Sequence, residues 1–496
     1  MTLPITDDLA DKLQSLLLYD PSSPLIFSSG LFLFLFAGFL LLYSALGRAQ
    51  TARVLYVVLF SLYFYYKSSG IYFLLLVFAA ASDFLIARGI YRARFRWTKR
   101  WLVVLSVAVN LGMLGYFKYT NFLIDISNQL FGQGFLQFQN IFLPVGISFF
   151  VFQSMSYTID ICRGQLKPLN NWADYLFYLS FFPQLVAGPI VRAKDFIPQI
   201  RQNPLRVTRE MFGMGVFLIL IGLFKKAVIS DYISLNFVDR IFDEPLLYSG
   251  FECLMGIYGY ALQIYCDFSG YSDMAIGIAL LLGFRFPKNF DAPYKSATIT
   301  EFWRRWHISL STWLRDYLYI SLGGNRKGAV RTYWNLFAVF LVTGIWHGAA
   351  WSYVAWGIWN GIFIVIERFF GLDKDKNDRW YVSAAKHVYA FFAIVWGMII
   401  FRAESLSYAY EYICRMLHID VTKHLPDYDY GVNNKFAIML IVGLICAMPV
   451  CRNLIYIKYE HKVQRTLVNI WLFLLFFWST ISLAASTYNP FIYFRF

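Results

Sequence analysis

One histidine stands out among the residues whose types could do chemistry. His347 lies in an uncharged stretch, residues 343–351, between two long apolar runs. An ionisable side chain at membrane depth is costly and is by default a functional hypothesis. Desolvation disfavours the imidazolium and leaves a neutral ring that can accept a proton. We therefore expect His347 to be catalytic; the alternative is a packing histidine bonded to a neighbouring helix.

A second histidine lies in a segment rich in tryptophan and arginine. Within residues 301–317, the large apolar side chains recur at helical spacing and cover an arc of about 100°, with His307 at its edge. Arg304 and Arg315 fall beyond that edge. The pattern predicts a helix that lies in the cytoplasmic membrane interface with its indoles at headgroup level. His307 is then either a second catalytic residue or part of a plain interfacial helix.

The chemistry that these residue types fit is acyl transfer. A neutral histidine can deprotonate a hydroxyl as it attacks a thioester, and such general-base help contributes roughly 10²–10⁴-fold. The sequence has no GxSxG, HExxH or P-loop motif, and its six cysteines form no CxxC pair, so no metal site is predicted. Asp267 and Asp273 lie within an apolar stretch, where they could orient a histidine, hold a helix break or pair with an arginine. The other four histidines, 387, 418, 424 and 461, fit interfacial or solvated positions.

The elements that must position these residues are membrane helices. The chain is 58% hydrophobic and 15% charged, with a mean hydropathy of +0.51, whereas soluble proteins are about 45–50% apolar and about 25% charged. Backbone in lipid must be helical because no water satisfies its polar groups. The predicted fold is all-α, a polytopic helical bundle of about twelve spans. Its apolar runs are 25–46, 53–66, 70–90, 101–117, 141–161, 211–230, 250–284, 333–350, 351–370, 387–401, 435–451 and 468–486.

The charged loops between these runs predict a topology. The net charge of +14 fits loops retained in the cytoplasm rather than a nucleic-acid partner, and a basic cytoplasmic face can attract an anionic cosubstrate. Loops 88–100 and 452–467 are predicted inside, and loops 231–249 and 402–434 outside. Segments 172–190 and 302–320 are flanked by basic residues and are predicted to be re-entrant, lining a cavity.

Seven segments of the chain carry recognisable motifs: 144–150, 152–157, 182–189, 267–273, 289–328, 346–348 and 489–496. They resemble the membrane-bound O-acyltransferases, and specifically the branch of the bacterial alginate O-acetyltransferase membrane subunit. The resemblance implies one membrane-embedded domain over residues 1–496, with N-terminal helices (1–130), a catalytic core (140–370) and C-terminal helices (371–496).

This resemblance also implies a mechanism and its partners. Helices would surround a central channel in the bacterial inner membrane, where a cytoplasmic acyl donor and an extracytoplasmic acceptor meet near His347. His307 matches the second histidine of the family. The donor would be acetyl-CoA or another acyl thioester, and no cofactor would be permanently bound. A periplasmic SGNH-type acyltransferase could complete transfer to a polysaccharide acceptor.

A basic patch is predicted to bind the donor. Positive charge beside the second re-entrant segment suits a phosphorylated donor such as CoA. Three alternatives stay open: D-alanyl or other acyl transfer from a carrier protein to a cell-envelope polymer, a non-enzymatic transporter or flippase, and a non-catalytic scaffold for a secreted esterase. The predicted patch consists of Lys295, Arg304, Arg305, Arg315 and Arg326.

Overall fold

The computed structural model of the chain describes residues 14, 16–47, 49–202, 206–373, 379–417, 434–448, 462–485 and 491–492. Its regular elements are α-, 3₁₀- and π-helices, and those ranges contain no β-strand. The all-α prediction is therefore confirmed. His418, His424 and His461, which are predicted to be interfacial or solvated, and most of the terminal motif 489–496 lie outside the described residues.

Contacts within the chain divide it into two compact units. The first comprises Met1–Gly215 and Ala275–Phe286, and the second comprises Val216–Met274 and Pro287–Phe496. The predicted single domain over 1–496 and its three parts stay a prediction.

Most helices of the first half of the chain are joined by short segments, whereas the loop 132–146 is fifteen residues long. The connections Gly70–Tyr72 (3₁₀) and Gly115–Tyr119 (π) join consecutive helices without a turn. The α-helices are α1 (Gly30–Ala45), α2 (Gln50–Ser69), α3 (Phe73–Arg92), α4 (Arg96–Leu114), α5 (Thr120–Phe131), α6 (Ile147–Cys162), α7 (Trp172–Ser180), α8 (Phe182–Leu185), α9 (Ala193–Ile200) and α10 (Arg209–Leu223).

A buried carboxylate joins the helices at the centre of the first unit. Asp83 in α3 accepts hydrogen bonds from the Ser106 hydroxyl and the Asn110 amide of α4, both at 2.6 Å, and from the Ser154 hydroxyl of α6. The Tyr175 hydroxyl of α7 lies 3.0 Å from that of Ser154. A buried charge is tolerated only when donors satisfy its oxygens. Asp83 thereby joins α3 directly to α4 and α6, and through Ser154 to α7. The sequence analysis did not single out this residue.

The second half of the chain alternates long helices with short, irregular ones. Residues Phe224–Ser230, Ser234–Val238 and Leu314–Tyr319 are π-helical, and Pro245–Leu247 and Pro293–Lys295 are 3₁₀ turns. The α-helices are α11 (Asp231–Ile233), α12 (Asp239–Asp243), α13 (Gly250–Leu281), α14 (Ile299–Arg305), α15 (Ile308–Trp313), α16 (Ala329–His347), α17 (Trp351–Phe370), α18 (Trp380–Arg402), α19 (Leu406–Met416), α20 (Asn434–Ala447) and α21 (Lys462–Ala485).

Five helical stretches of the described chain are long and apolar enough to cross a membrane, and two shorter apolar helices, α1 and α20, accompany them. These stretches agree with a membrane protein, while the count of about twelve crossings stays a prediction. The five are Gln50–Arg92, Arg96–Phe131, Arg209–Asp243, Trp380–Arg402 and Thr466–Ala485.

Two lysines inside the third of these stretches are paired with the aspartates of α13. Lys225 Nζ lies 2.7 Å from Asp273, and Lys226 Nζ lies 2.8 Å from Asp267 and 2.7 Å from Asp231. Among the three roles left open for Asp267 and Asp273, the structure shows ion pairing, with lysines in place of the expected arginine. Asp267 also accepts a hydrogen bond of 2.7 Å from the backbone of Ile492.

Candidate active site

His347 is carried by a tight helical hairpin. Its two helices, α16 and α17, are joined by only three residues, and they run antiparallel because Gly344 meets Gly357 while Gly361 meets Phe337. A Cβ atom at Gly357 would lie 2.6 Å from the carbonyl oxygen of Phe340. Small residues permit this backbone approach, which places the last residue of α16 against the first turns of α17.

The imidazole of His347 lies among aromatic rings. The side chain is 5% exposed. Its ring centroid lies 4.9 Å from that of Trp346, 5.1 Å from Trp356 and 5.3 Å from Phe401, and the last two rings meet it nearly at right angles. Three elements therefore fix the ring: α16, α17 and the end of α18.

The second histidine lies at a break between two helices. α14 ends at Arg305 and α15 begins at Ile308, while His307 between them adopts a left-handed backbone with φ of 44°. The predicted continuous interfacial helix is therefore wrong. Backbone pairing with residues 289–291 causes the break, since Ile308 donates to Asn289 at 2.9 Å and Asp291 donates to Arg305 at 2.8 Å.

The tryptophans of this segment face the interior rather than the membrane interface. Trp303, Trp306 and Trp313 are each at least 93% buried, and His307 is fully buried. The ring of Phe268 meets the His307 imidazole edge-on at 4.7 Å. His307 lies outside the five candidate spans, and burial lowers the pKa of its imidazole to about 3. The ring is thus neutral near pH 7, as a neutral hydrogen-bonding group requires.

Trp346 connects the two histidines. Its ring centroid lies 4.9 Å from that of His347 and 6.4 Å from that of His307. The structure therefore brings both predicted catalytic residues to the same indole, although they come from segments forty residues apart.

α14 is fixed against α17 by two buried polar contacts that the sequence analysis missed. Glu367 accepts hydrogen bonds from the first backbone N–H groups of α14, Ile299 at 2.5 Å and Thr300 at 2.8 Å. Trp303 donates its indole N–H to Asn360 at 3.1 Å. A carboxylate at a helix N-terminus is stabilising. An acidic residue near the end of an apolar helix, as Glu367 is, was the signal available in the sequence.

One cavity of about 290 Å³ has an arginine-rich lining. Arg304, Arg315 and Arg368 contribute the positive charge, and Arg368 is paired with Asp373 at 3.1 Å. Thr343, one turn before His347 on α16, forms part of the same wall. The remaining wall is largely apolar: Trp303, Leu310, Leu314, Leu336, Val339, Phe340 and Ile364.

The other members of the predicted basic patch lie elsewhere. Arg305 is paired with Glu301 at 2.8 Å, and its guanidinium lies 4.0 Å from Asp291. Lys295 and Arg326 are exposed and are not among the residues that line the cavity. The structure thus joins two of the five predicted donor-binding residues in one cavity and adds Arg368.

A second cavity, of about 350 Å³, has five polar side chains among the eight residues that line it and is named the polar cavity. Arg402 lies in its wall and is paired with Asp239 at 3.2 Å and with Asp243 at 3.7 Å. The two loops predicted to be outside, 231–249 and 402–434, therefore meet at Arg402. The lining residues are Gln263, Ala350, Ser352, Tyr353, Arg402, Ala403, Glu404 and Ile492.

His347 lies between these cavities without lining either. On the basic side, Trp303 meets Trp356 at 5.5 Å, and Trp356 contacts the imidazole. On the polar side, Tyr353 meets Phe401 at 5.3 Å, and Phe401 contacts the imidazole.

Within the described part of the chain, no group of three or more His, Cys, Asp or Glu side chains could hold a metal ion.

Comparison with known proteins shows the family to which the chain belongs. The membrane-bound O-acyltransferase family profile matches residues 163–406. The chain is 38% identical to the "Probable alginate O-acetylase AlgI" of Pseudomonas putida, across 95% of this chain and 100% of that protein. The chain belongs to the membrane-bound O-acyltransferase family. The chain is therefore an O-acyltransferase and a membrane protein.

Two further relatives mark the range of activities within this O-acyltransferase family. The peptidoglycan O-acetyltransferase of Helicobacter pylori is 33% identical, over 88% of this chain and 89% of that protein. The teichoic acid D-alanyltransferase of Bacillus subtilis is 28% identical, over 53% of this chain and 70% of that protein. All three named relatives act on cell-envelope or extracellular polymers by name.

Proposed function

We propose that this O-acyltransferase moves an acetyl group from a cytoplasmic thioester donor to a hydroxyl on the outer side of the bacterial inner membrane. The chain would cross the membrane several times, and the acceptor would be a polysaccharide or a partner protein. The names of the alginate and peptidoglycan relatives support acetyl as the group and a polymer as the final acceptor.

One observation carries the proposal: the position of His347 between a basic and a polar cavity. The basic cavity is lined in part by the segment 302–320, which is predicted to lie at the cytoplasmic side, and the polar cavity is lined in part by residues in or next to the loop 402–434, which is predicted to be outside. A donor and an acceptor that enter from opposite sides would meet at this ring. Because Trp356 separates the imidazole from the basic cavity and Phe401 separates it from the polar cavity, both rings must move when the two reactants are bound.

In the proposed reaction, the hydroxyl oxygen of the acceptor attacks the thioester carbonyl while His347 accepts the hydroxyl proton. Collapse of the tetrahedral intermediate breaks the carbon–sulfur bond and expels the thiolate, which takes the proton from the imidazolium. An imidazole that is neutral near pH 7 would favour the first step because it is already in its basic form. His307 would support donor entry or the same chemistry through the Trp346 contact.

The arginines of the basic cavity would bind the donor. Arg304, Arg315 and Arg368 can form charge-assisted hydrogen bonds with phosphate oxygens, and the apolar wall suits the uncharged arm that carries the thioester. Three further basic residues lie outside the cavity lining and would attract the donor towards the cavity: Lys295, Arg305 and Arg326. Acetyl-CoA is the preferred donor and is not permanently bound.

A second function has support from one relative. The similarity to the D-alanyltransferase favours transfer of another acyl group from a carrier protein to a cell-envelope polymer. Binding of purified acyl carrier protein or of acetyl-CoA to the isolated protein separates the two donors. A periplasmic SGNH-type acyltransferase remains the proposed partner if the acetyl group passes through a second protein.

Substitution of His347 tests the proposal. His347→Ala should abolish acetylation of the cell's exopolysaccharide, measured by mass spectrometry, while the protein stays in the membrane at the normal level. His387→Ala, at an exposed histidine, is the matched control and should retain acetylation. Full acetylation with His347→Ala would favour a non-catalytic scaffold or a transporter.

A further inference from the structure

The side chain of Asn289 makes four polar contacts in the region around His307. Its Oδ1 atom lies 3.2 Å from the backbone N of Ser309, 2.9 Å from the Ser309 hydroxyl and 3.3 Å from Nδ1 of His307. Its Nδ2 atom donates to the Ser272 hydroxyl at 3.0 Å. The residue is 1% exposed, so water does not compete for these contacts.

These contacts fix which end of the amide faces the histidine. A backbone N–H can only donate, so the Asn289 atom that it reaches must be the carbonyl oxygen. The amide nitrogen is directed to Ser272 instead. The assignment of oxygen and nitrogen in this amide therefore follows from its surroundings, as it must when hydrogen atoms are inferred.

The orientation of the amide selects one tautomer of His307. A carbonyl oxygen accepts hydrogen bonds and cannot donate, so the ring nitrogen that faces it must carry the hydrogen. The Ser309 hydroxyl, 3.5 Å from the same Nδ1 atom, donates its hydrogen to Asn289. In a neutral imidazole with hydrogen on Nδ1, the lone pair is on Nε2.

We propose that Asn289 is the positioning residue that holds His307 as the Nδ1–H tautomer, so that Nε2 is its basic atom in acyl transfer. This inference rests on the proposed role of His307 in the reaction. Asn289 acts through His307 and does not touch the reacting atoms. Its backbone also helps to hold the left-handed turn at His307, so the test must separate the tautomer from the fold.

The first measurement is spectroscopic and does not depend on activity. In purified protein with ¹⁵N-labelled histidine, the His307 ring should show a protonated Nδ1 and an unprotonated Nε2, with His307→Gln used to assign the signal. Asn289→Asp keeps an acceptor oxygen of the same shape and should keep this pattern, because the Ser272 hydroxyl can donate to the second carboxylate oxygen. Asn289→Ala should lose it. A protonated Nε2 in the unsubstituted protein would overturn the proposal outright.

The second measurement is kinetic. A wrong tautomer in a catalytic triad costs about 10⁴-fold, so Asn289→Ala should lower kcat by about 10²- to 10⁴-fold with little change in donor KM. Ser272→Ala is the matched control: it removes one hydrogen bond from the same amide but leaves its oxygen held by Ser309. It should keep the tautomer and most of kcat.

Two outcomes distinguish this inference from the proposed function. If Ser272→Ala and Asn289→Ala lower kcat equally while the tautomer is unchanged, Asn289 is merely structural and the inference fails. If the unsubstituted protein transfers no acetyl group but His307 shows the expected tautomer, the positioning by Asn289 stands and the proposed donor or acceptor is at fault.

Discussion

The ring of Tyr353 occupies the place that a side chain at Gly348 would take. Gly348 has an extended backbone with φ of −161°, which any residue can adopt, so the need for glycine here is spatial. Tyr353 lines the polar cavity and reaches His347 through Phe401. The residue after the proposed catalytic histidine therefore determines where one wall of that cavity lies.

Substitution of Gly348 by alanine should displace the Tyr353 ring and lower acyl transfer. We expect a loss of about 10- to 100-fold, since a shift of about 1 Å near reacting groups can cost about 10²-fold, and a destabilisation of about 1–3 kcal/mol from overpacking. Initial rates and thermal unfolding in detergent measure both effects. Tyr353→Ala in the same protein should relieve the overpacking.

Gly112→Ala is the matched control for this prediction. Gly112 lies within α4, and a Cβ atom there would have nothing within 4 Å. Alanine in an open helical position stabilises by about 0.5–1 kcal/mol relative to glycine. An unchanged rate and stability for Gly348→Ala would show that Tyr353 moves freely and that the wall is not fixed.

The fold class and the two histidines could be predicted because their signals are local. Apolar runs long enough to span lipid must be helical, and a histidine within an uncharged stretch stands out against them. Lys225 and Lys226 carried an equally strong signal at the end of the apolar run 211–230. Their pairing with Asp273 and Asp267 could not be inferred, because 48 and 41 residues separate the partners along the chain.

The break at His307 shows why the rest of the site escaped prediction. The apolar spacing of residues 303–317 fits one helix, yet backbone pairing with residues 289–291 interrupts it. The spacing of apolar residues indicates which residues are buried, but not which other segment of the chain packs against them. Asn289 and Glu367 make contacts of this long-range kind, and each is an ordinary residue in its own segment.

Arginines that line the basic cavity should affect donor binding more than those outside it. Arg304→Gln and Arg315→Gln should each raise the donor KM by about tenfold or more, since a hydrogen bond to a charged group contributes about 1.5–3 kcal/mol. Arg305→Gln and Arg326→Gln should change KM less, because these residues do not line the cavity. Acetyl-CoA titrations at two salt concentrations measure the effect. Equal effects at all four positions would indicate a diffuse electrostatic attraction instead.

Removal of Lys226 should destabilise the protein strongly. Lys226→Met leaves Asp231 and Asp267, both at least 91% buried by side chain, without their shared cation. Breaking one partner of a buried pair costs about 3–5 kcal/mol. Asp231→Asn with Asp267→Asn in the same protein should recover part of the loss, since the amides carry no charge. Thermal unfolding of the single and the triple variant measures both effects. A Lys226→Met variant as stable as the original protein would mean that water reaches the carboxylates.

The buried imidazole of His307 should make the protein less stable as the pH falls. Its pKa is about 6.5 in an unfolded chain and about 3 in the folded protein. Between these values the unfolded state binds one more proton, so the free energy of unfolding falls by about 1.4 kcal/mol for each unit that the pH drops. Above about pH 7 this contribution does not change.

His307→Gln isolates this dependence, because glutamine does not titrate. The unfolding midpoint of the original protein should fall relative to that of His307→Gln as the pH is lowered from 7 to 5, and the difference should level off above neutrality. His387→Gln, at an exposed position, supplies the comparison and should follow the original protein. Parallel curves for the original protein and His307→Gln would mean that His307 takes up a proton in the folded state as readily as in the unfolded one, and its proposed neutral role in acyl transfer would then have to be abandoned.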